Sequence, residues 1–236
     1  MQLLKINSLV ILGIVFIQSC DSTSSIEKSK TIDNEDSIVE QKSNLPDVEA
    51  QQKSIFNFIE DYTVLNSKTE LIETFGRENV IDDTIWLAEG TVQKFVSRVT
   101  NPIQNHSLIY FWSDQENSSA WLEAEFYNWS DQFEVMNTQT IKSQTGLYTG
   151  MSLEELREWN EGIIHFAGFG WDYSGNVFPS VNDNLSKTNI TIRLINKQEE
   201  YEGFEFIIGD VALDSDDVRM KGAPIVIETL SLNLKK

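Results

Sequence analysis

The run from Gly146 to Gly175 constrains the fold more than any other, because turn, cap, helix and strand signals succeed one another there without a gap. Ser152 and Glu155 stand at capping-box spacing. The Ser hydroxyl can accept from the Glu155 amide, and the Glu carboxylate can reach back to the Ser152 amide. Leu153, Leu156 and Trp159 come next at helical spacing and give a short apolar stripe. Asn160 and Gly162 tolerate positive φ, which predicts the helix end there. The period then changes, and the apolar, aromatic run Ile163 to Phe169 predicts a strand. Gly168, Gly170 and Gly175 bracket Phe169, Trp171, Asp172 and Tyr173, which predicts a bulge or tight hairpin.

The same helix opening occurs earlier. Ser67 and Glu70 form a second capping box ahead of Leu71, Ile72 and Phe75, with Gly76 as terminator. The shared Ser-x-x-Glu-Leu predicts an internal duplication: two helix-plus-meander halves, residues 46–135 and 136–236. Before the first box, Pro46 suits the start of a helix, and Ile55, Phe58, Ile59 and Tyr62 share one helical face. Strands are expected at 85–89, 94–100, 107–112 and 120–127. In the last, Leu122, Ala124 and Phe126 face one way, and Trp121, Glu123, Glu125 and Tyr127 the other. Residues 129–140 read as a polar connector. Further strands are expected at 189–195, with Ile190, Ile192 and Leu194 inward; at 204–213, with Phe204, Phe206 and Ile208 inward; and at 225–234, with Leu230, Leu232 and Leu234 on one face. Short turns between strands and few helices predict an α+β fold of short helices on antiparallel meanders.

The first residues point to export. Lys5 precedes an apolar run, Leu9 to Ile17, too short to span a bilayer as a mature helix, and Ser19 stands before the lone cysteine, Cys20. The expected reading is a lipoprotein signal over residues 1–19, lipid on Cys20, and a polar tether over 20–45 rich in Ser, Asp, Glu, Lys and Thr. The alternative is an ordinary secretory signal with an incidental cysteine. Lipidation would place the protein in the bacterial cell envelope, with the outer membrane favoured, although Asp21 after the cysteine is an inner-membrane signal in some bacteria. One cysteine allows no intrachain disulfide. A net charge of −19 without a basic cluster excludes a nucleic-acid footprint and favours neutral or basic partners.

Trp171, Asp172 and Tyr173 are the sharpest cluster, and two readings of it stand. They can form a ligand corner, two aromatics stacking and an acid accepting a hydrogen bond. They can equally form a structural corner in which the Asp caps its own turn. His106 and His165 lie far apart in the chain without cysteine or carboxylate at zinc spacing, so neither a metal site nor a catalytic triad is expected. His165, in an apolar strand, reads as a satisfied structural residue. Asp214, Asp216 and Asp217 lack the glycine and closing Glu of a calcium loop and read as a solvated turn. Gly168-Phe169-Gly170 is not a dinucleotide fingerprint, since no helix comes after it. No cofactor and no catalytic residue is expected.

The combination over residues 145–177 resembles an uncharacterised family of Gram-negative lipoproteins. Gly146, Gly150, Ser152, Glu155, Leu156 and Asn160 carry the first part of the likeness. Gly168, Phe169, Gly170, Trp171, Asp172, Tyr173 and Gly175 carry the second. Glu161, between Asn160 and Gly162, departs from the pattern at the turn. The opening of a helix before a meander is also similar in architecture to the small α/β modules of outer-membrane assembly lipoproteins and of proteinaceous β-lactamase inhibitors, which are binding modules. The family itself implies no activity. The anchor, the tether, the missing nucleophile-base set and the architectural likeness together lead to the expectation of a lipid-anchored binding or interaction module with a protein partner and no catalysis. The alternative expectation is an envelope hydrolase or carbohydrate-binding protein built on the Trp171–Asp172–Tyr173 corner.

Overall fold

The computed structural model describes residues 56–88, 90–113, 119–129, 135–171, 173–198 and 201–234. Cys20, Pro46, Ile55 and Asp172 lie outside them. The described chain opens with a 3-10 turn, Ile59–Val64, where the spacing of Ile55 to Tyr62 predicts one helical face. Ile59 and Tyr62 are buried all the same. The first α-helix, α1, is Lys68–Phe75. Four strands come after it: β1 (Val80–Leu87), β2 (Val92–Asn101), β3 (His106–Trp112) and β4 (Ser119–Glu125). The expected polar connector contains a small hairpin, β5 (Tyr127–Trp129) with β6 (Val135–Thr138). Then come α2 (Leu153–Asn160), β7 (His165–Ala167), β8 (Val177–Phe178), β9 (Ile190–Asn196), β10 (Ala212–Asp214) and β11 (Ile225–Asn233). The fold is α+β, with antiparallel sheet dominant.

Both capping boxes form. The Ser67 hydroxyl accepts from the Glu70 amide at 3.3 Å while Glu70 accepts from the Ser67 amide at 2.9 Å. Ser152 and Glu155 repeat this at 3.2 and 2.9 Å. These bonds hold both glutamates below the usual carboxylate pKa. Gly76 ends α1 at φ 89. At the end of α2 it is Glu161, not Gly162, that takes the left-handed conformation, at φ 55.

The strands on either side of residue 135 share one sheet, in the order β1-β2-β3-β4-β11-β9. The expected halves therefore do not make two sheets. β4 presents Leu122 and Ala124 to the core and needs a partner on its far side; β11 supplies it, with Leu232 opposite Leu122 and Leu230 opposite Ala124. The two helices also lead into different structures. α1 opens onto the four-strand meander, and α2 onto a separate sheet, β10-β7-β8. Along β11 the register against β9 shifts between Ile227 and Thr229. The extra residue, Glu228, lets Ile227 and Leu230 both face the core, opposite Leu194 and Ile192.

One face of the large sheet carries Val99, Leu108, Tyr110, Leu122, Leu230, Ile192 and Leu194 into a single core with Ile59, Leu71, Phe75, Leu153, Leu156, Ile164 and Phe166. Trp159 packs at its margin and donates its indole N–H to the Thr145 carbonyl at 2.9 Å. The strand expected at 204–213 is broken. A 3-10 turn, Glu205–Ile207, precedes Gly209 at φ 102, and only Ala212–Asp214 is strand. The alternation of Phe204, Phe206 and Ile208 misplaces the buried residue: Ile207 is fully buried, and Ile208 is 45% exposed.

Candidate functional site

The Trp171–Tyr173 corner is set by glycines that let backbones approach. A Cβ on Gly168 would lie 2.5 Å from the Gly209 carbonyl oxygen, and one on Gly175 only 2.0 Å from the Leu194 carbonyl oxygen. The Leu194 amide donates to the Gly175 carbonyl and the Gly168 amide to the Val211 carbonyl, both at 2.8 Å. Between these crossings Trp171 is half-buried and donates its indole N–H to the Gly168 carbonyl at 3.0 Å. Tyr173 packs edge-on against it, with centroids 5.3 Å apart, and is 60% exposed. The corner is thus structural at its glycines and Trp171, and open to solvent at Tyr173. Asp172 falls outside the described residues.

The histidines are apart and each has a partner. His165 Nδ1 lies 2.6 Å from Asp214 Oδ1, across the β7–β10 pairing. His106 Nδ1 lies 3.1 Å from the Tyr62 hydroxyl. Asn101 donates to that hydroxyl at 2.9 Å, and the His106 tautomer sets which of Tyr62 and His106 donates to the other. Burial lowers the His106 pKa and raises that of Tyr62, keeping both neutral in this network. Asp217 caps a turn, accepting from the Arg219 amide at 2.9 Å and pairing with its guanidinium at 2.5 Å. Those bonds lower its pKa to about 2. No group of three potential metal ligands occurs among the described residues.

The most developed polar constellation lies elsewhere, on the outer face of the large sheet. Trp121, Glu123 and Glu125 of β4 face away from the core, as their alternation with Leu122 and Ala124 predicts. Register sets Ser231 beside Glu123 and Thr229 beside Glu125 on β11, then Thr191 and Arg193 on β9. The bulge residue Glu228 joins this face. Arg193 donates through Nε to Glu228 at 2.8 Å and through Nη2 to the Thr229 hydroxyl at 3.1 Å. Its Nη2 also stands 3.7 Å from Glu125. Glu123 accepts from the Trp121 indole at 3.0 Å and the Ser231 hydroxyl at 3.1 Å. Trp121 in turn stacks on Phe111, at 4.2 Å between centroids.

Two carboxylates therefore pair with one guanidinium, and a third, Glu123, acts on it through its charge. The side chains of Glu228 and Glu125 are only 13% and 20% exposed. Burial raises the Glu123 pKa against the pull of Arg193, and pushes Glu125 up to about 7. Burial also works against the Arg193 charge, but the surrounding carboxylates outweigh it and hold its pKa above the ordinary value. Beside this cluster opens a cleft of about 400 Å³, lined by Glu123, Arg193, Thr191, Thr229 and Ser231 on the sheet and by Val177 and Phe178 of β8. That size falls within the roughly 300–1,000 Å³ of small-ligand sites. Trp171 and Tyr173 do not line it; they precede the strand that forms its wall. The sequence marked Glu123 and Glu125 as outward-facing. Arg193 and Glu228 could not be joined to them without the strand order. No family model matches this chain, and no match was found among curated proteins or solved structures.

Proposed function

We propose that this protein is a lipid-anchored binding module of the bacterial cell envelope, exported and held at Cys20, that recognises a protein partner without catalysing a reaction. The outer-face cleft is its recognition surface. The observation that carries this is the ion cluster beside the cleft: Arg193, which lines it, pairs with Glu228 and Glu125 behind it, and Glu123 lines it alongside. Burial disfavours the charged forms of Glu123 and Glu125, and a cationic group on a partner would favour them. Its side chains are tied to one another and to Trp121, Thr229 and Ser231, which suits a rigid contact surface. The lipid anchor rests on the sequence around Cys20.

The test is recovery of partners from envelope membranes with a C-terminally tagged full-length chain. A defined partner is expected with the wild type and lost with Arg193→Met, while Cys20→Ser moves the protein to the soluble fraction. Equal recovery by wild type and Arg193→Met would contradict the role of the cleft. A second reading, carbohydrate binding at the Trp171–Asp172–Tyr173 corner, is favoured by the exposure of Tyr173 beside Trp171. It predicts retention on an envelope-glycan resin that Tyr173→Ala abolishes.

A further inference from the structure

The two edges of the large sheet are finished differently. At β9, the Leu194 amide bonds to Gly175 and Asn176 bridges to Arg193, so the edge is partly covered. At β1, no second strand pairs among the described residues. β1 runs eight residues against β2 without a register shift, and contains neither proline nor lysine. Those omissions matter, because bulges, prolines and lysines are the usual protection of an exposed edge. Its two acids are already engaged: Asp82 pairs with Lys68, and Asp83 with Arg98 at 2.8 Å.

The distal half of this edge is also apolar. β3 pairs with β2 only from Val96 onward, so residues 84–87 and 92–95 project past it as a two-stranded arm. Trp86 and Phe95 share one face of the arm by register and are 58% and 51% exposed; Leu87 pairs with Val92 on the other face. A two-stranded ribbon is marginal alone, and contiguous exposed apolar surface marks a contact.

We infer that β1 is a docking edge, to which an extended segment of a partner protein adds as a further antiparallel strand. This surface is distinct from the cleft, at the opposite edge of the sheet, and does not depend on it. The occupant's chemistry is set by the face it meets. Ile81 and Leu87 offer apolar contacts along one side of β1 and Trp86 along the other, while Asp82 and Asp83 are already paired with Lys68 and Arg98. The chain carries a net charge of −19, which repels an acidic strand and a second copy of itself. The segment is therefore one that alternates apolar and basic side chains. Main-chain hydrogen bonds supply the affinity, and side-chain alternation supplies the register.

A synthetic peptide of alternating lysine and isoleucine or valine, Ac-Lys-Ile-Lys-Val-Lys-Ile-Lys-amide, is the probe. Its control has the same sequence with alternate backbone amides N-methylated, which keeps charge and side chains but removes donors. Amide hydrogen exchange of the full-length protein is expected to slow over residues 80–87 with the plain peptide. The N-methylated peptide, and the plain peptide against Ile81→Lys, should each bind at least about tenfold more weakly. Ile81 is 61% exposed, so that substitution leaves the fold intact, as circular dichroism would show. Equal binding of both peptides would reduce the interaction to charge and greasiness and overturn the inference. So would unchanged exchange in β1, or protection that appears without peptide as protein concentration rises.

Discussion

Glu125 is a carboxyl whose environment decides its charge near neutrality. Its folded-state pKa of about 7 lies above the ordinary 4.5, so the folded chain keeps a proton that the unfolded chain releases. The stability this group contributes is complete below about pH 4.5 and is lost as pH rises through about 7. Between about pH 6 and about pH 8 the loss is about 1 kcal/mol, measurable by urea unfolding and absent in Glu125→Gln. His106 acts in the opposite direction. Burial lowers its pKa below 6.5, so its contribution is present above that value and is lost as pH falls; His106→Gln should flatten the acid limb of the same profile. Gly175 tests backbone approach. Its φ is 70, and a Cβ would overlap the Leu194 carbonyl, so Gly175→Ala is expected to cost roughly 3 kcal/mol or more. Gly203→Ala, also at positive φ but in open space, should cost only about 1 kcal/mol.

At the scale of elements, the features legible in the sequence were those that bond to near neighbours. The capping boxes at Ser67 and Ser152 form as their spacing requires, because both partners lie within four residues. Ser152→Ala should remove about 1 kcal/mol of stability, read by thermal or urea unfolding, with α2 otherwise retained. Alternation also located β9, whose Ile190, Ile192 and Leu194 are buried. It failed over residues 204–213, where a chain bonded to Phe169 through Ile207 and Gly209 turns rather than extends. That bond is long-range and leaves no mark in the local pattern. The same limit hid the Glu228 bulge, which depends on holding register with β9 while Phe126 donates to the Glu228 carbonyl. The outer-face cluster was half visible: β4 announced its two acids, but their cation lies on a strand reached only through β11.

For the molecule as a whole, the decisive feature is that the last strand is not last in space. β11 lies between β4 and β9, so the sheet and the core close only when the C-terminal segment inserts. Deleting residues 225–234 should therefore abolish cooperative unfolding rather than trim an edge, as near-ultraviolet circular dichroism would show. The same insertion assembles the cleft, because β11 brings Thr229, Ser231 and Glu228 between the acids of β4 and Arg193 of β9. Fold and cleft are thus made by one pairing event. The most direct measurement of the account is site-specific photo-crosslinking from Thr191, which lines the cleft, in the full-length protein expressed in bacterial cells. A single discrete adduct that disappears with Arg193→Met is the predicted result. No adduct, or one that persists unchanged in Arg193→Met, would contradict the claim that this face binds a partner.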